Sequence, residues 1–86
     1  MTSLVNRLDR AGVRMSAQRR IIAECLDGED RHATAAGLLE QAQEVLPEIG
    51  RATVYKALAS FVESGQVAEV DVGDGPTCFD PNANVA

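Results

Sequence analysis

The chain has 86 residues and a formal net charge of -5, with 8 lysine and arginine residues against 13 aspartate and glutamate residues. A chain of this length forms at most one small domain, which buries about 60 to 65% of its unfolded surface. It has no apolar run as long as a bilayer crossing needs, and its first residues carry charges where a secretory signal has an apolar core. We therefore expect one small domain in the cytoplasm, with no membrane partner.

Two short amphipathic segments open the chain. The first runs from Thr2 to about Ala11 with Leu4, Leu8 and Ala11 on one stripe, and Gly12 is expected to end it in a left-handed conformation. The second follows Ser16, a plausible N-cap, and continues to about residue 26. Its predicted inward-facing side is apolar and consists of Ile21, Ile22, Cys25 and Leu26.

A third helix and a fourth follow a polar, turn-like stretch. Thr34 is the N-cap candidate of the third helix, which is predicted over roughly Ala35 to Leu46 and is ended by Pro47. The fourth helix is expected to begin near residue 51, with Gly50 as its cap. The predicted buried side of the third helix consists of Leu38, Leu39, Ala42 and Leu46.

The fourth segment is the one around which the chain is organised. Its apolar residues recur at helical spacing and form one stripe, which consists of Val54, Leu58, Phe61 and Val62. The opposite side and its flank are small, polar and cationic, and they consist of Ala52, Thr53, Lys56, Ala59, Ser60, Arg51 and Tyr55. Short side chains around a few long ones let a helix come close to a surface such as the major groove of DNA.

Two short strands are predicted after the helices. The runs QVAEVDV and PTCFD flank a turn at Gly73 to Gly75, and helices followed by such a hairpin are typical of a winged helix-turn-helix. The turn carries Asp74 and no lysine or arginine, so we expect the wing to be structural. The predicted fold is mainly α with a small β-hairpin, with one domain over residues 1–80 and a tail over residues 81–86.

The charges are distributed unevenly along the chain. All eight basic residues lie at or before Lys56, and five acidic residues but no basic ones follow it. Residues 1–26 hold five arginines against Asp9 and Glu24, a local balance of +3. Such a chain can present a basic front and an acidic back, although its overall charge predicts weak DNA binding by a lone monomer.

Five sequence blocks in order resemble the ferric uptake regulator superfamily of metal-dependent bacterial transcription factors. The most specific block is ATVYKAL (residues 52–58), which is similar to the recognition-helix signature of that family. The others are AGVRMSAQR (11–19), RHATA (31–35), ESGQV (63–67) and GDGPTCFD (73–80). The resemblance implies the DNA-binding domain of a metal-responsive repressor that reads an AT-rich palindromic operator through the helix at about residues 51–64.

The resemblance also implies which residues meet double-stranded DNA. Tyr55 and Lys56 would face bases and phosphates in the major groove, and Arg14 would reach toward an A·T-rich minor groove. Thr53 and Arg19 match positions near the DNA backbone. The expected DNA-binding set, which includes Arg51 from the flank of the helix, is Arg14, Arg19, Arg51, Thr53, Tyr55 and Lys56.

His32 and Asp80 match two ligands of the family's regulatory metal site. An aspartate at position 80 resembles the peroxide-sensing members, whose histidine and carboxylate ligands suit Fe(II) or Mn(II); Zn(II) is the third metal the family implies. The family's dimerisation domain, which supplies further ligands and the homodimer, is absent from these 86 residues. Residues 81–86 are therefore expected to lead toward that domain, and the two ligands are expected to form a partial site that holds no metal alone.

Two other functions are compatible with the residues. Without the family match, Tyr55 is an amphipathic residue at the edge of the core and Lys56 a solvated cation. The acidic balance then suits a winged-helix module that binds proteins and not DNA. An enzyme is a more distant alternative, because the chain has one histidine, no catalytic triad spacing and no phosphate-binding loop.

Overall fold

Four helices and a small antiparallel sheet make up the part of the chain that the computed structural model describes, which is residues 3–28, 33–71, 73 and 75–81. The elements in chain order are α1 (Leu4–Arg10), α2 (Ala17–Asp27), β1 (Ala33–Thr34), α3 (Ala35–Val45), α4 (Arg51–Glu63), β2 (Ala68–Val70) and β3 (Cys78–Asp80). The prediction of a mainly helical domain that ends in a hairpin is confirmed.

Short polar side chains start three of these helices. The hydroxyl oxygens of Ser3, Ser16 and Thr34 each accept a hydrogen bond from the backbone N–H three residues later, at 3.1 to 3.2 Å. Such a cap is worth about 1 kcal/mol. Gly50 occupies the N-cap of α4 without a side-chain bond, as its missing side chain dictates. The predicted caps at Ser16, Thr34 and Gly50 are confirmed, and α1 begins at Leu4 instead of Thr2.

The end of α1 agrees with the sequence-based prediction at Gly12 and differs from it at Ala11. Gly12 has a φ of 88°, the left-handed conformation that favours glycine. Ala11, which was predicted to face the core, is exposed, because the helix has already ended at Arg10 and the chain turns away.

The hydrophobic core lies where α1, α2, α3 and α4 meet. Fully buried side chains occur on all four helices and include Leu4, Leu8, Ile22, Leu26, Leu38, Val54, Leu58 and Phe61. Ala57 is also fully buried, and it was missed because alanine carries little hydrophobic signal. The predicted stripes were too wide at their edges, since Ile21, Cys25, Leu39, Leu46 and Val62 are half-buried and pack against the core from its rim.

The sheet has the order β1-β3-β2, and both pairings are antiparallel. β1 was not predicted because it contains only two residues, Ala33 and Thr34. Thr34 pairs with Cys78 and at the same time caps α3, so the sheet is attached directly to the start of that helix. The sheet therefore fixes the wing against the helix pair, and Cys78 and Phe79 of the central strand are buried.

α1 ties the beginning of the domain to its exit. Asp27 at the end of α2 accepts a hydrogen bond from the backbone N–H of Leu4 at 3.3 Å. Arg7 donates from Nη2 to the backbone carbonyl of buried Pro81 at 2.8 Å. The chain thus leaves β3 in contact with its own first helix. Among the described residues, no helix has both the length and the apolarity of a membrane span.

Candidate nucleic-acid interface

The surface of α4 that faces away from the core is the centre of the candidate interface. Its exposed residues recur at helical spacing and are Arg51, Ala52, Tyr55, Lys56, Ala59 and Glu63. The side chain of Tyr55 is 54% exposed, although burial of a large aromatic side chain would stabilise the fold. The helix therefore buries its apolar stripe and leaves a long aromatic and a long cationic side chain beside two alanines.

The two polar residues that border this surface are less exposed than the sequence suggested. Thr53 and Ser60 are half-buried, since they lie between the exposed side and the buried stripe of the helix. Thr53 can still offer its hydroxyl at the edge of the surface, where a group near a DNA backbone would be placed.

A depression between α3 and α4, which we call the α3–α4 depression, lies at the N-terminal half of α4. It has a volume of about 410 Å³, and its lining includes Arg51 and Tyr55 from α4 and Glu40 from α3. The small residues Ala35 and Ala36, with Leu39, complete the α3 side. Because these side chains are short, the start of α3 leaves open space next to Tyr55.

A second depression, which we call the wing depression, also borders Tyr55 and lies against the sheet. Its volume is about 250 Å³, and Tyr55 lines it together with Thr34, Pro76, Thr77 and Phe79. Tyr55 thus lines two hollows, which share Ala35 and Ala36 at the start of α3. Its side chain is open to both hollows, which suits contact with the methyl groups and sugars that line a groove of DNA.

The link between α1 and α2 carries two of the predicted arginines. The side chain of Arg19 donates from Nη1 to the backbone carbonyl of Arg14 at 3.1 Å. Ser16 accepts from the Arg19 backbone N–H, so the same residue is held at its backbone and its side chain. This arrangement fixes the backbone of the link and leaves Arg14 exposed.

The link packs near the C-terminal end of α4. Arg14 and Arg19 line a third depression of about 380 Å³, the link depression, together with Ser60 and Glu63 of α4. At about 1.5 Å per residue, the opposite end of the helix at Arg51 is about 18 Å away. The predicted cations are therefore divided between the two ends of α4.

The structure thus separates the predicted DNA-binding residues into groups. Arg51 and Tyr55 share the α3–α4 depression, Arg14 and Arg19 share the link depression, and Lys56 lies exposed on α4 outside the linings of both. Sequence reasoning did not single out Glu40 and Glu63, one of which lines each depression. The spacing of Glu63, seven residues after Lys56, could have indicated that both share a helix face.

The predicted metal ligands are incompletely described. Asp80 is half-buried at the end of β3, directly before Pro81, while His32 lies outside the described residues. Within the described ranges, no three histidine, cysteine or acidic residues come together as a group that could hold a metal ion. Two ligands alone do not form a good metal site, so the described part of the chain does not fit a complete one.

Comparisons with known proteins show the family to which the chain is similar. Residues 10–85 match the sequence profile of the ferric uptake regulator family. The peroxide operon regulator of Bacillus subtilis (strain 168) is 38% identical over 73 residues, which are 85% of this chain and 50% of that protein. Other curated relatives are peroxide-responsive repressors of Staphylococcus, 35% identical over 77 residues. These similar proteins are regulators and not enzymes.

Solved structures extend the likeness to the fold. A zinc-bound manganese uptake regulator has a TM-score of 0.88 at 29% identity, over 93% of this chain and 61% of that chain. The Vibrio cholerae ferric uptake regulator, whose structure shows a rearrangement of its DNA-binding domains, has a TM-score of 0.79 at 30% identity, over 93% of this chain and 62% of that one. The predicted winged helix-turn-helix fold is confirmed.

The chain spans about half the length of the curated relatives it matches. The profile match covers nearly all of it, and the relatives include the peroxide-responsive regulators that the aspartate at position 80 suggested. The chain belongs to the ferric uptake regulator family.

Proposed function

We propose that this chain is the DNA-binding domain of a metal-responsive transcriptional repressor, and that α4 enters the major groove of an AT-rich palindromic operator. The observation that carries the proposal is the orientation of α4. Its apolar stripe is used by the domain's own core, while Tyr55 and Lys56 project from a surface that also carries two alanines and has Arg51 and Glu63 at its ends. A repressor of this kind works in the cytoplasm, where a bacterial chromosome lies.

The proposed contacts follow from the placement of each side chain. Lys56 neutralises a phosphate or donates to a base edge, and Tyr55 gives apolar contact to thymine methyl groups. Arg51 reaches the backbone at the start of the helix, and Thr53 donates its hydroxyl from the border of the surface. These residues share one helix, so they meet one stretch of groove.

The link between α1 and α2 supplies a second region of contact. Arg14 is exposed on a backbone that the Arg19 side chain holds in place. A cation at this position can enter a narrow A·T-rich minor groove, whose negative potential is enhanced. We assign Arg19 to the neighbouring phosphates, with the preference for A·T pairs resting on Arg14.

The proposal extends to a second copy of the protein and to a metal. Residues 1–80 form the winged-helix domain, and residues 81–86 lead toward a dimerisation domain, so that two copies read the two halves of a palindrome. His32 and Asp80 would contribute two ligands for Fe(II), Mn(II) or Zn(II), and the rest of the site requires residues outside the described ranges. The donors described here are too few for a metal-dependent step to be derived from them.

The proposal is tested by a titration of labelled AT-rich palindromic duplexes with the parent chain and two variants. Tyr55 and Val45 are large exposed apolar residues on neighbouring helices, and Val45 lies outside the linings of the three depressions. We expect Tyr55→Ala to weaken binding at least about fivefold, a typical loss for one good groove contact. The matched control, Val45→Ala, is expected to bind like the parent.

Two outcomes would reject the proposal. If Tyr55→Ala and Val45→Ala had the same affinity as the parent, α4 would not be the surface that meets DNA. If the parent bound no duplex at low salt and high micromolar concentration, the acidic net charge would favour the alternative function, a winged-helix module that binds another protein.

A further inference from the structure

We propose that Glu40 and Glu63 are built-in counter-charges of the DNA-facing surface, which hold down the sequence-independent attraction of this domain for phosphate. This inference rests on the proposed function. Each carboxylate acts at one end of α4. Glu40 partly offsets the positive charge of Arg51, and Glu63 partly offsets those of Arg14 and Arg19.

The placement of Glu63 carries the first half of the inference. Glu63 is exposed on the same side of α4 as Lys56 and Ala59, at spacings of seven and four residues. It also lines the link depression with Arg14 and Arg19. A carboxylate in this position lies within the surface that would approach DNA, where each phosphate carries a like charge.

The placement of Glu40 carries the second half. Glu40 is exposed on α3 and lines the α3–α4 depression beside Arg51 and Tyr55. Each end of α4 therefore has a carboxylate in the same hollow as arginines that are proposed to contact DNA. The carboxylates and the arginines line the same open hollows, so each carboxylate can act on its arginines through the solvent that fills the hollow.

A carboxylate near a cation has two effects on binding to DNA. It repels the approaching phosphates. For two like charges about 8 Å apart in a largely aqueous setting at low salt, this repulsion lowers the affinity for DNA by about two- to fourfold. The carboxylate also neutralises the arginine in place of a dissolved anion. Fewer dissolved ions are then released when a DNA phosphate binds that arginine. Removing the carboxylate charge should therefore strengthen binding and steepen its dependence on salt.

The test compares Glu63→Gln, Glu40→Gln and the double variant with the parent chain and with Glu24→Gln. Glu24 is an exposed helical glutamate that shares a hollow with an arginine, Arg20, but this hollow lies between α1 and α2 and includes no residue of α4. Binding is measured to an AT-rich palindromic duplex and to a scrambled duplex of the same composition, from about 0.05 M to about 0.5 M salt.

We expect each single variant to bind both duplexes about two- to fourfold more tightly at the lowest salt, and the double variant about tenfold more tightly. The gain should shrink toward zero at the highest salt, and the slope of log K against log salt should steepen by up to about 0.9 for each substitution. Glu24→Gln should match the parent. Glutamine preserves the shape of the side chain, and circular dichroism shows whether each variant is folded.

Several results would overturn the inference. Variants that bind like the parent at every salt concentration would show that the carboxylates do not influence phosphate contact. A change confined to the palindromic duplex would identify Glu40 or Glu63 as a reader of bases, since a carboxylate can accept from cytosine N4. If the parent and the double variant both bound no DNA, the proposed function would fail and this inference with it, whereas binding by the parent with unchanged variants would reject this inference alone.

Discussion

Replacing Lys56 by glutamine removes one cation from the exposed surface of α4 and nothing from its core. Lys56 is exposed, and the four buried residues of the helix are Val54, Ala57, Leu58 and Phe61. Lysine and glutamine have similar helix propensities, so the fold and its stability should be retained. Each phosphate contact contributes about 0.9 to the slope of log K against log salt. The loss is then about eightfold at 0.1 M salt and about twofold at 0.5 M.

The assay is an anisotropy titration of one labelled duplex with parent and variant at four or more salt concentrations. Arg20→Gln is the matched control, because Arg20 is an exposed cation in the hollow between α1 and α2, away from α4. We expect the slope of Lys56→Gln to be shallower than that of the parent by about one, with no change for Arg20→Gln. An unchanged slope for Lys56→Gln, or equal losses in the two variants, would refute the assignment of Lys56 to a phosphate.

The remaining predictions concern the stability of the scaffold and are measured by urea unfolding. Phe61→Ala should lower the free energy of unfolding by about 3 to 5 kcal/mol, because the ring is fully buried where α4 meets the core; a loss below 1 kcal/mol would contradict its burial. Gly12→Ala should cost about 1 to 2 kcal/mol because φ is 88°, and Gly12→Asn should cost less, since asparagine tolerates this conformation. Arg7→Met should cost about 1 to 3 kcal/mol, because it leaves the buried carbonyl of Pro81 without its donor, and faster amide exchange in β3 should accompany the loss.

Local features of the fold could be read from the sequence because each depends on a few neighbouring residues. Ser16 and Thr34 have the side chains that cap helices, and both do so. Gly12 follows the last helical turn and takes the left-handed conformation that its position requires. β1 could not be read in this way. A strand of two residues has no periodicity, and it exists only because β3 comes from 44 residues further along the chain to pair with it, as in Thr34 with Cys78.

The candidate site was predictable in part for a similar reason. The exposed side of α4 follows from helical periodicity, which placed Tyr55 and Lys56 at the surface, where the structure has them. The hollows depend on tertiary packing. No local pattern indicates that Glu40 of α3 shares a depression with Arg51, or that Arg14 lies near the far end of α4. The assignment of bases and phosphates to these residues remains a prediction.

If the chain binds DNA as proposed, its charge distribution explains how an acidic chain can do so. Two weakly binding domains that are joined gain affinity from the high effective concentration of the second domain once the first has bound. If each domain bound phosphate strongly, single copies would occupy DNA of unrelated sequence, because binding to such DNA is almost wholly electrostatic. In the proposed arrangement, carboxylates such as Glu40 and Glu63 would keep the affinity of a single domain low. Binding would then depend on the simultaneous engagement of two domains, and hence on a palindrome with the correct spacing between its halves.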